Sequence, residues 1–357
     1  MTPVHYDPTN YDLFIGIDTD KRSFAFTVRE RNQKKHRKMP SNPDQFYQYI
    51  QNHYPHRNVV CAYEAGPTGF GLYDYLLQKE VTCFVTSPAS IPKAPNERVK
   101  TNRIDSGKIA EYLMSGDFKP IRVPMGFYRD LRDLVKIRER YTYERKAAKQ
   151  RIKSLLLYKN LHNAIQSVDS RWSKAYLREL ERLECAPAER ERLNMLLSDL
   201  TYARKNLAMI HRKLRQFCRE HEEIHEYMGY LESIPGIGFI IAVTILGTIG
   251  DPAHLTNPRE IAAFLGLAPS EHSTGDTVTK GSITHLGNKV LRSLLVESAW
   301  ATIRKDTQLR QFYYRIRHKH HDQAASKIAI TAVARKMTQI IYRILKDKRP
   351  YVNYSDL

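Results

Sequence analysis

The chain has 357 residues, a length that allows roughly two or three domains. It carries 57 Lys and Arg against 38 Asp and Glu, a formal net charge of +19, which favours a polyanionic partner such as nucleic acid over a plain basic surface. No apolar run reaches the ~18 residues of a membrane span, and the N-terminal sequence lacks a secretory pattern, so we expect no membrane partner and a cytoplasmic location.

The four cysteines are widely separated and show no paired spacing. This pattern argues against a zinc site and against a disulfide framework, and it is typical of a reducing compartment. The cysteines are Cys61, Cys83, Cys185 and Cys218.

Residues 1–126 alternate strand-like and helix-like segments. The sequences DLFIGID and SFAFTVRER predict a hairpin around TDKR, and the short apolar runs NVVCAYEAG and VTCFVTSP predict buried strands. GFGLYDYLLQKE, between those two runs, has helical spacing. A hairpin followed by a strand–helix–strand unit predicts an α/β domain with a mixed sheet.

Residues 127–230 have the spacing of long helices. DLRDLVKIRERYTYERKAAKQRIKSLLLYKN contains no Gly and carries apolar residues three and four apart among many Lys and Arg, which predicts an apolar stripe opposite a basic face. A second such pair is broken at Pro187. Both a plain helical bundle and a coiled-coil arm that dimerises or lies along nucleic acid fit this pattern.

Residues 231–345 are predicted to form a compact, mostly helical domain with a Gly-rich middle, followed by a frayed tail at 346–357. Between two helical runs, Pro-Gly-Ile-Gly resembles a helix–hairpin–helix, in which Gly236 and Gly238 would let backbone N–H groups approach a phosphate. A Gly-rich helix turn without such a contact is the alternative.

Three acids of the first domain follow strands or begin a helix. Asp18 ends the first strand, Glu64 ends the strand VVCAYE, and Asp105 lies where a helical pattern starts. Such positions can converge on one edge of a sheet, where unpaired carboxylates would repel each other unless a divalent cation such as Mg²⁺ joins them. Singly, each acid is equally consistent with a turn or cap.

The motifs IGID, YEAGPTGFGLY and VKTNRIDSGKIAEYL resemble the RuvC-like, ribonuclease-H-like N-terminal domain of the IS110 insertion-sequence transposases. That family has an IS1111-like branch and also includes the Piv-type DNA invertases. The order Gly-Leu-x-Pro, Ser/Thr-Gly turn, Gly-x-Ile-Thr and Gly-Asn-x-x-Leu-Arg resembles the C-terminal transposase domain of the same family. The resemblance therefore covers nearly the whole chain in one order.

The resemblance implies a DEDD set of metal-binding acids. Asp18, Glu64 and Asp105 match the first, second and fourth places, and Asn102 stands at the third, three residues before Asp105 on the same helix face. Asn can ligate through its carbonyl oxygen but adds no charge. Either three carboxylates suffice, or another acid such as Asp20 assists, or activity is reduced.

The resemblance also implies a serine nucleophile from the polar turn His-Ser-Thr-Gly. Ser273 is the expected nucleophile and Thr274 the alternative, because relatives often have Ser-Ser-Gly here. His272 is either a base or a structural residue. Phosphate contacts are expected from three nearby cations, for which surface solvation is the alternative: Lys280, Lys289 and Arg292.

The function that the resemblance implies is a DNA recombinase that works through a covalent serine–DNA linkage with Mg²⁺. It further implies a structured noncoding bridge RNA that pairs with target and donor DNA, a homodimer or homotetramer with composite sites, and a bacterial or archaeal, nucleoid-associated protein. Two rivals remain open. One is a RuvC-like nuclease that hydrolyses branched DNA, and the other is a non-enzymatic RNA-binding protein whose acid site has decayed.

Overall fold

A computed structural model describes residues 6–30, 33–88, 102–165, 172–274, 277–284, 287–320 and 323–352, with the backbone alone at 102–103, 270–274 and 277–280. The chain divides into two compact units, Met1–Val123 and Pro124–Leu357. Within the described ranges, no helix is both long and apolar enough to cross a bilayer.

The first unit is a mixed sheet with helices. Its six strands lie in the order β3 (Lys34–Pro40), β2 (Ser23–Arg29), β1 (Leu13–Thr19), β4 (Val59–Glu64), β5 (Thr82–Thr86) and β6 (Pro120–Ile121). Strand β1 is antiparallel to β2 and parallel to β4. The predicted hairpin and mixed sheet are confirmed. The helices are α1 (Pro43–His53), α2 (Gly71–Gln78) and α3 (Asn102–Ser115).

The two faces of this sheet bury different residues, because successive strand residues alternate between faces. Leu13, Ile15 and Ile17 of β1 pack in one cluster with buried residues of α1 and α2. Phe14 packs in another cluster, with Ile109 of α3 and with residues of β4. The sheet therefore lies between α1 and α2 on one side and α3 on the other.

Helix α3 approaches β1 at Gly16, where a side chain would not fit. A Cβ built there would lie 2.2 Å from the Ser106 carbonyl oxygen and 2.4 Å from the Ala110 nitrogen, both backbone atoms of α3. The hydroxyls of Thr27 on β2 and Ser106 are 2.9 Å apart and share a hydrogen bond. Gly16 therefore lets the first half of α3 rest directly on the strand that carries Asp18.

Gly16→Ala is expected to lower the free energy of unfolding of the first unit by at least about 2 kcal/mol, because the new methyl group would displace α3 backbone. Gly71→Ala is the matched control, since an added Cβ there meets nothing within 4 Å, and it should change stability by less than about 0.5 kcal/mol. Calorimetric melting of both variants measures the difference. Equal melting temperatures would contradict the close approach of α3.

The second unit is mostly helical, as the sequence predicts. Its elements are α4 (Phe127–Tyr158), α5 (Lys174–Arg182), α6 (Pro187–Glu220), α7 (Glu222–Glu232), α8 (Phe239–Ile249), α9 (Pro258–Phe264), β7 (Pro269–Thr274), β8 (Thr277–Ile283), α10 (Lys289–Lys305), α11 (Thr307–Arg317) and α12 (Ala325–Asp347).

Helices α4 and α6 pack as a long antiparallel pair. Leu131 near the start of α4 shares a cluster with Leu214 near the end of α6, whereas Ile152 shares another cluster with Leu193. At 1.5 Å per residue, the 32 residues of α4 extend about 48 Å. The apolar stripe predicted from the sequence is therefore buried, at least in part, within a single chain.

One arginine of α4 departs from the predicted solvated basic face. The side chain of Arg138 is 9% exposed, and its Nε has no hydrogen-bond partner among the described residues. Burial lowers the pKa of this guanidinium. His211 of α6 likewise has a buried Nε2 without a partner in the described structure, and burial lowers its pKa.

The two compact units do not divide at residue 230, where the sequence pattern changes from long helices to the Gly-rich C-terminal region. A single cluster joins residues of α4 and α6 to residues of α7, α8, α10 and α12, so the long helices and the C-terminal region have a common core.

Candidate active site and nucleic-acid interface

Asp18 and Glu64 lie side by side at the carboxyl ends of neighbouring parallel strands. Ile17 of β1 is in register with Tyr63 of β4, and the two acids are the next residues along each strand. Parallel strands are about 4.8 Å apart, so the two backbones are close at this edge. Both acids are partly exposed, which leaves them accessible to a ligand.

Asp105 lies on the same face and at the same edge. Asp18 is two residues beyond Gly16, and strand alternation therefore assigns it to the face on which α3 packs. Glu64 follows Val60 and Ala62 on that face of β4. Asp105 belongs to the first turn of α3, next to Ser106 at the contact with Gly16. The fold thus brings the three predicted acids to one face and one edge.

Oxygen donors at such an edge are the ligand type that Mg²⁺ prefers. Within the described ranges, however, no group of three or more His, Cys, Asp or Glu side chains lies close enough to hold a metal ion. The donor chemistry and the backbone placement therefore fit a divalent cation, while the side chains do not form a closed ligand set.

The two further residues weighed for this set occupy different positions. Asn102 is the first residue of α3, and its spacing of three from Asp105 puts both positions on one helix face. Asp20 is exposed beyond the end of β1, where its carboxylate accepts a 2.7 Å hydrogen bond from the Lys21 backbone N–H. That contact gives Asp20 a role in the β1–β2 turn.

The predicted nucleophile lies on a strand and not within a turn, which corrects the sequence interpretation of this segment. Ser273 pairs with Val278 across the antiparallel β7–β8 ribbon, and Thr274 pairs with Thr277. Because strand positions alternate, 273 lies on one face of the ribbon, and 272 and 274 lie on the other. Ser273 and Thr274 are therefore exclusive alternatives, and His272 does not share the face of position 273. Gly275, which completes the motif, lies outside the described residues.

The basic residues predicted to hold phosphates differ in their surroundings. Lys280 lies on β8 opposite Glu271, with its backbone alone described. Lys289 begins α10 and is exposed. Arg292 is partly buried and donates a 2.7 Å hydrogen bond from Nη1 to the Leu265 carbonyl oxygen after α9. Arg292 thus stabilises the contact between α9 and α10.

Other residues of the Gly-Asn-x-x-Leu-Arg motif also have structural roles. Gly287 has a φ of +88°, and a Cβ there would lie 1.9 Å from the Phe264 carbonyl oxygen. The Asn288 side chain caps α10 by accepting a 3.0 Å hydrogen bond from the Leu291 N–H. The motif therefore fixes where α10 begins.

The two glycines of Pro-Gly-Ile-Gly lie in different surroundings. Gly236 has a φ of +89°, and a Cβ there would lie 2.6 Å from Thr302 Oγ1 and 2.8 Å from the Ser298 carbonyl oxygen of α10. The Ser298 hydroxyl donates to the Gly236 carbonyl oxygen at 2.8 Å. Gly238, by contrast, is exposed at the N-cap of α8, with nothing within 4 Å of an added Cβ.

Gly236→Ala is expected to destabilise the second unit by at least about 2 kcal/mol, because the left-handed backbone alone costs an L-residue roughly 1–2 kcal/mol. Gly238→Ala should cost less than about 1 kcal/mol, because its backbone is extended and the space is open. Urea unfolding of both variants measures this contrast. A stable Gly236→Ala protein would show that the turn does not pack on α10.

Family comparisons match both units of the chain. A model of the DEDD-type IS110 transposase domain matches residues 15–159, a range that includes all three acids. A model described as the transposase IS116/IS110/IS902 family matches residues 228–314, a range that includes the two glycines and Ser273.

Individual relatives agree with these matches. The Sinorhizobium fredii protein y4qE, named as a transposase, is 30% identical over 297 residues, which are 81% of this chain and 71% of that protein. The transposase for insertion sequence element IS1111A of Coxiella burnetii is 28% identical over 211 residues, 57% and 55% of the two chains. The pilin gene-inverting protein of Moraxella bovis is 30% identical over 131 residues, 36% and 40% of the two chains. This chain therefore belongs to the IS116/IS110/IS902 family of transposases.

Proposed function

We propose that this protein is a DNA transposase that cuts and rejoins strands through a covalent serine–DNA intermediate. The observation that supports this most is the shared edge of Asp18, Glu64 and Asp105 in a domain that matches DEDD transposases. Ser273, the proposed nucleophile, lies within the range that matches the second family model.

The proposed reaction exchanges one ester for another. The Ser273 oxygen attacks phosphorus, a phosphoserine bond forms, and the bond from phosphorus to one deoxyribose oxygen breaks. That oxygen leaves as a hydroxyl with a proton, and the serine loses its own. Since a phosphodiester is kept, a hydroxyl of another strand can reverse the exchange without ATP.

The three acids would hold a divalent cation, which would supply charge stabilisation at the phosphate and would activate a hydroxyl that is a poor nucleophile unaided. Asp18 and Glu64 lie on neighbouring strands, so the sheet fixes their backbone spacing. Asn102, at the first position of α3, is the proposed neutral ligand. Lys280, Lys289, Arg292 and the turn at Gly236 and Gly238 are the proposed phosphate contacts.

The proposed partners are target DNA, donor DNA and a structured noncoding guide RNA. The net charge of +19 suits a protein that holds several polyanions together. Exchange of two duplexes needs several active sites, so we propose a homodimer or homotetramer. Sequence choice would then rest on base pairing, as in other RNA-guided systems.

A second candidate function is metal-dependent hydrolysis of branched DNA, with water in place of Ser273. The match of the first unit to a DEDD-type domain favours this candidate, because paired metal-binding carboxylates serve nucleases equally well. It requires no protein–DNA linkage.

Trapping of the covalent intermediate tests the proposal. The protein is incubated with Mg²⁺ and element-end DNA that is nicked close to the cleavage position, so that the cut fragment diffuses away and resealing fails. A labelled protein–DNA adduct that survives denaturation and disappears after protease treatment supports the serine mechanism. Cleavage without any adduct supports hydrolysis, and binding without cleavage supports a non-enzymatic RNA-binding protein.

A further inference from the structure

Helices α9, α11 and α12, with the residues that follow α12, enclose a cleft of about 810 Å³. This volume lies within the range of roughly 300–1,000 Å³ that is typical of small-molecule and cofactor pockets. At this volume the cleft has room for more than a single phosphate ion. None of the acids, glycines or cations assigned to the candidate site lines it.

Within the part of the chain that the structure describes, the lining of this cleft carries five cationic side chains and no carboxylate side chain. Lys336 and Arg343 are exposed and are seven residues apart, which puts them on one face of α12. Like charges gathered in one concave surface repel each other unless an anion is bound. We call this surface the basic cleft, and its cations are Arg259, Arg315, Lys336, Arg343 and Arg349.

A hydrogen-bonded tyrosine holds one wall of the basic cleft in place. The Tyr351 N–H donates a 2.7 Å hydrogen bond to Ser233 Oγ, and its hydroxyl donates to the carboxylate of Asp306. Asp306 is fully buried and also accepts from the Leu309 N–H at 2.8 Å, so this nearby acid is already used within the fold. Among the described side chains, Arg349 is the one cation of this lining with an ion pair, at 3.0 Å from Asp347.

The lining also offers flat apolar surfaces and amide groups. Phe312 and Tyr351 are partly exposed, and the Arg315 guanidinium lies 5.2 Å from the centre of the Phe312 ring. Aromatic rings and guanidinium planes stack on unpaired bases, and the amides of Gln308 and Gln339 can pair with base edges. A duplex keeps its bases stacked inside and cannot use such surfaces.

We propose that the basic cleft binds an unpaired strand of nucleic acid, with the phosphates on the five cations and a base against the aromatic wall. This proposal deepens the proposed function, on which it rests, because it gives a guide RNA or a displaced DNA strand a place on the chain. An acidic peptide would satisfy the cations but not the aromatic wall.

Charge reversal in the basic cleft tests the proposal. Fluorescence anisotropy of ten-nucleotide single strands, as RNA and as DNA, compares the full-length protein with Lys336→Glu/Arg343→Glu. We expect at least a tenfold loss of affinity. Loss of two phosphate contacts should also reduce the slope of log affinity against log salt by about 1.4. The strand type that binds with higher affinity, RNA or DNA, shows whether the cleft takes a guide RNA or a displaced DNA strand.

The matched control reverses two lysines elsewhere on the same helix. Lys327 and Lys346 are exposed on α12 but do not line the basic cleft, so Lys327→Glu/Lys346→Glu should weaken binding less than threefold. Equal loss in both double variants would overturn the proposal. So would equal affinity for a duplex of the same length, or equally effective competition by polyglutamate.

Lysine footprinting keeps the proposal falsifiable if the cleft variant fails to fold. In the unmodified protein, a bound ten-nucleotide strand should protect Lys336 from acetylation and leave Lys327 and Lys346 reactive. An unprotected Lys336 would overturn the proposal. Neither the affinity measurement nor the footprint needs strand exchange. If the cleft does not bind the strand but a Ser273 adduct is trapped, strand binding at the basic cleft alone is refuted. If Lys336 is protected but no adduct forms, the serine mechanism alone is refuted.

Discussion

Replacing Ser273 with alanine is expected to abolish the covalent adduct and to lower strand exchange at least about a thousandfold, because the variant lacks the proposed attacking oxygen. Nucleic-acid binding should be unchanged, since the hydroxyl is small and the cations remain. Denaturing gels of the nicked substrate measure the adduct, and a joined-product assay measures exchange.

Thr274→Ala is the control that decides between the two neighbouring hydroxyls. Positions 273 and 274 lie on opposite faces of the β7–β8 ribbon, so one variant should lose the adduct and the other should keep it. Loss of the adduct in Thr274→Ala alone would move the nucleophile by one residue. Full cleavage by Ser273→Ala, with no adduct in either protein, would establish hydrolysis instead.

Asp18→Asn is expected to lower DNA cleavage at least about a hundredfold at saturating Mg²⁺, because the substitution removes one charged metal ligand and keeps the size of the side chain. Chelation of divalent metal should abolish cleavage by the unmodified protein, and added Mg²⁺ should restore it. Titration of Mg²⁺ with cleavage as the readout measures both effects.

Asp20→Asn is the control for this prediction. Asp20 is two residues further along and is exposed, and its carboxylate accepts from the Lys21 N–H. We expect near-normal cleavage from this variant. If Asp20→Asn lost activity while Asp18→Asn kept it, the metal-binding acid would have to be reassigned to the turn. If both variants kept full activity, the acidic edge would have no catalytic role.

Several features of the first unit could be predicted because they depend on residues close in sequence. Alternating apolar residues predicted β1 and β2, and short apolar runs between turn residues predicted β4 and β5. By contrast, β3 has the sequence KKHRKMP, an edge strand whose side chains are mostly exposed, and so it lacks the apolar alternation that identifies a strand. Helix α1 was also not predicted.

The candidate site was predicted only in part. The sequence indicated three acids at strand ends and a helix start, and the register of β1 with β4 and the contact at Gly16 bring them to one edge. The same reasoning indicated Gly236 as a phosphate-binding glycine, which stays a prediction, and did not foresee that its backbone packs on α10. A glycine needed for close packing and one needed for a ligand have the same local pattern.

The sequence by itself indicated an α/β region followed by long helices, the basic character of the chain and three candidate acids, because these follow from composition, short-range periodicity and a family resemblance. Only the tertiary structure decided that Ser273 lies on a strand and that Arg292 stabilises α9. It also decided that cations from Arg259 to Arg349 line one cleft. The physical reason is that the Arg292 contact and the cleft depend on residues far apart in the chain, whose partners no local pattern specifies. The strand at Ser273 pairs locally with β8, but its polar sequence lacks the apolar alternation that identifies a strand.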